Sequence, residues 1–164
     1  MKKIFLLLTL LFSLLQADLF VQGNKTVGVS LGSGSVDYGW PRGSEYYTIL
    51  GVSGDYFIVD DLSVGLAYRH WFGTPSIDEV TLPVTYYLPL DANMRPYAGL
   101  FYRRVFMGSG YDDGDVYGGR AGVTIKVSPR SYLGVGWVQE YWDGCSDRSD
   151  CSSGYPEAVF SFSF

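Results

Sequence analysis

The residues able to do chemistry are few and widely spaced. Cys145 and Cys151 are the two cysteines of the chain, in a stretch rich in Gly, Ser and Asp. A close, even pair reads as a disulfide in an exported protein, and closing seven residues contributes about 2.4 kcal/mol in the chain-entropy model. Asp147 and Asp150 lie between them, but no His accompanies this set, so a metal site is not expected. Asp112, Asp113 and Asp115 flank Gly114. Such carboxylates suit hard cations like Ca²⁺, but the set is too small for an EF-hand and lacks its bidentate Glu. His70 is the single histidine. The spacing Gly28-x-x-x-Gly32 is strand-periodic rather than a phosphate loop, which needs a following helix. No cofactor is expected. With 12 Lys and Arg against 17 Asp and Glu, nucleic acid is not an expected partner either.

The remaining charges make sense only once the elements carrying them are placed. At the start, Lys2 and Lys3 precede an apolar run from Ile4 to Leu15. Twelve helical residues span about 18 Å, short of a hydrocarbon core of about 30 Å. A basic start, a short apolar run and then Gln16-Ala17 read as a secretory signal peptide over 1–17, cleaved after Ala17. The remaining 147 residues, 18–164, carry 10 basic against 17 acidic residues, a net charge of −7.

From Lys25 onward the apolar period is two. Val27, Val29 and Leu31 alternate with Gly28, Ser30 and Gly32; Leu62, Val64, Leu66 and Tyr68 with Ser63, Gly65, Ala67 and Arg69; Leu133, Val135 and Trp137 with Gly134, Gly136 and Val138. Eight such segments of about nine to twelve residues are predicted, the length that crosses a bilayer at a tilt of about 45°. In the fifth, Ala98, Leu100 and Tyr102 alternate with Gly99, Phe101 and Arg103, and either face could be the outer one. Residues 35–44, 73–78, 107–115 and 143–154 form the longer connections. Val59-Asp60-Asp61, Pro89 to Met94 and Ser128-Pro129-Arg130 form tight turns. This points to an all-β fold, an eight-stranded antiparallel up-and-down transmembrane barrel with both termini on the short-turn, periplasmic side.

A soluble eight-stranded barrel would share the alternation, so the polar face decides. It carries many of the 21 glycines, including Gly51, Gly65, Gly99, Gly118 and Gly122. Small residues suit a lumen that eight strands must pack shut. Its charges are Asp55, Arg69, Glu79, Arg103, Arg120, Lys126, Glu140 and Glu157, four of each sign, able to neutralise one another inside. The other face is aliphatic in mid-strand and aromatic near strand ends, with Tyr46, Tyr56, Tyr68, Phe72, Tyr86, Tyr102, Phe106, Tyr117, Trp137 and Tyr141. Tyr and Trp favour the membrane interface, and the excess of Tyr is expected to be chiefly such a girdle.

The last strand alternates Phe160, Phe162 and Phe164 with Ser, which resembles the insertion signal read by the barrel-assembly machinery. Together with the leader and the eight segments, the chain resembles the small eight-stranded outer-membrane barrels of the OmpA transmembrane-domain and OmpX kind. The segment from Tyr56 through Asp60-Asp61 to Leu66 is similar to their strand–turn–strand unit, as is Arg95-Pro96-Tyr97-Ala98-Gly99. The resemblance implies outer-membrane lipid and lipopolysaccharide as surroundings. It also implies surface loops free to meet a protein ligand, with Tyr38, Trp40, Arg42 and Tyr111 as contact residues. Some small outer-membrane barrels modify lipid A, and the deacylases among them use a Ser with a His and an acid. His70 has no Ser two residues away in its strand, so the expectation is a rim His and no enzyme. A plugged lumen rather than a pore is expected. The leading functional expectation is therefore a structural or surface-binding role, with a lipid A-modifying enzyme and a narrow pore as the alternatives.

Overall fold

A computed structural model describes residues 19–37, 44–74, 76–91, 93–108, 112–144 and 151–164, with the side chains of 35–37, 44 and 45 outside that description. Eight strands follow one another: β1 (Lys25–Asp37), β2 (Ser44–Val59), β3 (Leu62–Phe72), β4 (Ile77–Tyr87), β5 (Met94–Met107), β6 (Gly114–Ser128), β7 (Ser131–Trp142) and β8 (Ser152–Ser163). Each pairs antiparallel with its neighbours in sequence, and β1 pairs with β8 to close the barrel. Closure removes the exposed edges that an open sheet would leave, and it satisfies the backbone within the wall, as a lipid environment requires.

The strands run longer than expected, 11 to 16 residues. They take up parts of the expected loops, because an antiparallel ladder keeps pairing beyond the apolar band: Asp37 is still opposite Ser44, and Arg104 opposite Asp115. The tight turns fall where Asp, Pro and Ser predict them. Asp61, at φ 64°, makes the reversal between β2 and β3 in the left-handed region that Asp tolerates better than most residues.

The polarity of the wall follows the period of two. On β5, Leu100 is 73% exposed and Phe101 6%. This fixes the fifth strand with Ala98, Leu100 and Tyr102 outward and Phe101 and Arg103 inward. Val29, Val52, Leu82, Ile125 and Val135 all point outward. So do all ten aromatic residues expected on that face, nine of them exposed and Tyr102 half-buried. The tyrosines, however, divide. Tyr47, Tyr87, Tyr97, Tyr132 and Tyr155 face the interior, where the hydroxyls of the last four find polar partners. The girdle therefore accounts for only part of the Tyr excess, because a narrow charged lumen also needs large side chains with a polar tip.

Two apolar clusters occupy the two ends of the interior. Toward the long loops are Tyr47, Ile49, Trp71, Ile77, Val105 and Val116. Toward the short turns are Phe57, Tyr87, Tyr97 and Tyr132, joined by Leu19 and Phe20 from the segment before β1. Burying one such large side chain contributes about 1.5–3 kcal/mol.

The inward glycines let these aromatics fit. A Cβ on Gly122 would stand 2.6 Å from the Gly136 Cα and 2.7 Å from the Tyr97 hydroxyl. Gly122 and Gly136 are opposite one another on β6 and β7, and the hydroxyl of Tyr97 occupies the space their missing side chains leave. Gly122→Ala is expected to lower stability by about 1–3 kcal/mol through this overpacking. The check is a shifted midpoint in urea titrations of the protein folded into lipid vesicles.

Candidate functional site

The charged side chains of the interior come from seven strands, β2 to β8. Arg69 on β3 is opposite Glu79 on β4, and its Nε lies 2.9 Å from Glu79 Oε2. Arg103 on β5 is opposite Thr81 on β4. Its Nε donates to Thr81 Oγ1 at 3.0 Å and lies 3.6 Å from Glu79 Oε2, while its Nη1 pairs closely with Glu140 on β7. Ser153 Oγ donates to the other Glu140 oxygen at 2.8 Å. Tyr155 on β8 joins the two arginines: its hydroxyl accepts from Arg69 Nη1 at 2.8 Å and from Arg103 Nη2 at 3.1 Å. The Arg103 guanidinium also lies 4.6 Å over the Phe101 ring.

A second group lies nearer the short turns. Arg120 Nε on β6 is 3.3 Å from Glu157 Oε1 on β8, and the Tyr97 hydroxyl donates to the same oxygen at 2.9 Å. Asp55 on β2 accepts from Thr26 Oγ1 at 3.5 Å and shares a small cavity with Arg120 and Glu157. That cavity is about 60 Å³, room for a few water molecules. At the short-turn mouth Arg95 pairs with Asp61 and lies 4.6 Å over the Phe20 ring.

Seven of the eight charges read from the sequence are thus brought into contact or around one cavity. Lys126 is not among them. It sits on the same face of β6 but beside the last turn, where its backbone N–H donates to the Asn93 carbonyl, and among the described residues it makes no ion pair. The Arg95–Asp61 pair and the five inward tyrosines were not singled out from the sequence. Asp61 offered a signal, as the second Asp of a two-residue turn with Arg95 on a neighbouring strand two positions along. The tyrosines offered their parity.

His70 points outward from β3. Its Nδ1 lies 2.7 Å from Asp78 Oδ1, directly across on β4, and Tyr68 donates to the same carboxylate. Phe72 meets the imidazole edge-on at 4.5 Å. Among the described residues His70 bonds to Asp78 alone, and no Ser, Thr or Cys is hydrogen-bonded to it. Asp78 was missed because it was assigned to a loop; counting the hairpin register places it opposite His70. The Asp112–Asp115 run is not an open carboxylate cluster: Asp115 accepts from Arg104 Nη1 at 2.8 Å and from Tyr102, and Asp113 is 3.8 Å from Arg104. The described residues contain no group of three or more metal-ligating side chains.

Phe160, Phe162 and Phe164 all face outward along the closing seam, with Phe160 opposite Val29 of β1 and Leu133 of β7, while Ser161 and Ser163 face in. Cys151 immediately precedes β8. Cys145, Tyr38, Trp40, Arg42, Tyr111 and the segment 1–17 lie outside the described residues.

No family model and no curated protein matches the chain. Solved structures do. Neisserial surface protein A is 18% identical, covers 87% of this chain and 98% of its own, and superposes with a TM-score of 0.66. The N-terminal β-barrel domain of Pseudomonas aeruginosa OprF is 16% identical over 87% and 98%, with a TM-score of 0.64. The attachment invasion locus protein Ail of Yersinia pestis is 10% identical over 88% and 100%, with a TM-score of 0.51. The chain therefore has the fold of the small eight-stranded outer-membrane barrels.

Arg103 is the charge most enclosed by partners. Arg103→Met leaves Glu140 and Glu79 buried without it, and is expected to cost about 3–5 kcal/mol, whereas Lys126→Ala stays within about 0.5 kcal/mol. Urea unfolding midpoints of the two variants in lipid vesicles check the contrast.

Proposed function

We propose that this chain is an integral outer-membrane β-barrel protein with a structural or surface-binding role carried by its long loops, and not an enzyme. The carrying observation is the inverted polarity of the wall. Among the described residues thirty large apolar side chains are exposed, most of them on the outside of the wall, while Arg103, Glu79 and Glu140 are buried within. In water such an exterior would aggregate; in a bilayer it is the lipid-facing band.

On this reading residues 1–17 are a signal peptide cleaved after Ala17, and residues 18–164 form the barrel domain. Both termini then lie in the periplasm. The alternating phenylalanines of β8, presented outward at the seam with β1, support recognition by the barrel-assembly machinery. Tyr38, Trp40, Arg42 and Tyr111 fall on long loops facing lipopolysaccharide and any surface ligand. Cys151 carries no free thiol, which supports its pairing with Cys145 to stiffen the last long loop. The aromatic girdle and the outward pairs His70–Asp78 and Arg104–Asp115 suit the headgroup region, where polar tips meet lipid phosphates and water. The printed names of two proteins of this fold, a surface protein and an attachment invasion locus protein, accord with a role at the cell surface.

The charged interior fills the lumen, so its role is to close the barrel and not to conduct. A lipid A-modifying activity would require a nucleophile at His70, where Asp78 is the partner.

The test is the migration of outer-membrane fractions on SDS gels with and without boiling. A folded barrel runs faster unboiled and shifts on heating. Recovery in the soluble periplasmic fraction with unchanged migration contradicts the assignment. Mass spectrometry of lipid A from a deletion strain should show an unchanged acylation pattern, and a lost acyl-transfer or deacylation product would replace the binding role with an enzymatic one.

A further inference from the structure

The segment before β1 enters the barrel. Leu19 and Phe20 are 2% and 4% exposed, inside the ring of Phe57, Tyr87, Tyr97 and Tyr132 that β2, β4, β5 and β7 present at the short-turn mouth. The Phe20 ring lies 4.7 Å from Tyr87, 5.4 Å from Tyr132 and 5.8 Å, edge-on, from Phe57. The Arg95 guanidinium lies 4.6 Å over Phe20 and is itself held by Asp61.

The backbone is tied down as well. Asp61 N–H donates to the Phe20 carbonyl at 2.7 Å, and Gly23 N–H to the Phe57 carbonyl at 2.9 Å. Gln22 N–H donates to Asp60 Oδ1 at 2.8 Å, and its side-chain amide to the Ile58 carbonyl at 3.0 Å. Gly23, at φ 88°, turns the chain from this seat into β1 in a conformation that side chains resist. Directly above are the cavity and its charges, and the cavity wall includes Tyr87, Tyr97 and Tyr132 from the same ring.

These contacts belong to a segment outside the ladder. The wall closes through β1–β8 pairing that begins at Thr26, so it does not depend on Leu19 or Phe20. Two apolar side chains placed under a charged cavity, latched by a turn aspartate and hinged at a glycine, constitute a stopper.

We propose that residues 19–24 are a built-in plug that closes the short-turn mouth and keeps the charged cavity above it from exchanging with bulk water. That this mouth faces the periplasm rests on the outer-membrane reading above; the closure itself does not.

The experiment uses the full mature chain folded in detergent micelles, where both mouths meet the reagent wherever the protein resides in the cell. Cys145→Ser and Cys151→Ser remove the native cysteines, and Ser161→Cys places a reporter at a buried residue lining the cavity. A small charged methanethiosulfonate should label this reporter slowly with the plug intact, and about tenfold faster or more with Leu19→Ser and Phe20→Ser added, since access then no longer waits on local opening. Heat-modifiable migration confirms that both proteins are folded. Equal labelling rates in the two folded proteins overturn the proposal. A second measurement needs no disruption of the plug: a single Leu19→Cys in the folded barrel should stay unlabelled until boiling, and ready labelling before boiling overturns the proposal equally.

Discussion

Arg103 sits in a space with no exit for its charge. The outside of the wall is apolar, apolar side chains fill both ends, and its guanidinium is satisfied by Glu140, Glu79, Thr81 and Tyr155. The desolvation of a buried ion is offset only when nearly every donor and acceptor finds a partner. Eight strands give a lumen just wide enough for side chains, so partners from the neighbouring β4 are completed by others from across the barrel. Glu140 on β7 and Tyr155 on β8 meet Arg103 on β5 in this way. The interior ion network thus constrains strand number, register and closure together: a shift of one residue in any of these strands would turn its charge into lipid.

The glycines and tyrosines are consequences of the same constraint. Large polar-tipped rings are needed to bridge charges across the lumen, and small residues opposite them give the rings room. Tyr97 shows both, with its hydroxyl bonded to Glu157 and lodged against Gly122 and Gly136. The two ends are sealed differently. Strand residues such as Trp71 and Val105 seal the long-loop end, while the short-turn end borrows Leu19 and Phe20 from outside the ladder.

Much of this was legible in the sequence because a transmembrane strand has a period of two and every residue must choose a face. The alternation of Val27, Val29 and Leu31 with Gly and Ser gave the first strand directly, and the inward parity of Arg69, Glu79, Arg103, Arg120, Glu140 and Glu157 followed. Two kinds of feature were hidden. Contacts across the lumen, such as Tyr155 with Arg69, join residues 86 positions apart, and parity says only that both are inside. Residues at segment borders were missed because composition marks borders poorly: Asp78 was assigned to a loop, and neither Arg95 nor Leu19-Phe20 was given a place in the interior. In each case a partner outside the local pattern decides the position, Asp78 by His70 and Phe20 by Arg95 and Tyr87.

The central claim is the inverted polarity, with charges inside and lipid outside. It is tested most directly by nitroxide scanning along β5 from Ala98 to Val105 in lipid vesicles, reading collision with oxygen, which concentrates in lipid, against collision with a water-soluble nickel chelate. The account predicts a strict period of two, with oxygen access highest at Ala98, Leu100 and Tyr102 and lowest at Phe101, Arg103 and Val105. An inverted pattern, with Phe101 and Arg103 facing oxygen, or a flat profile along the strand, would contradict it.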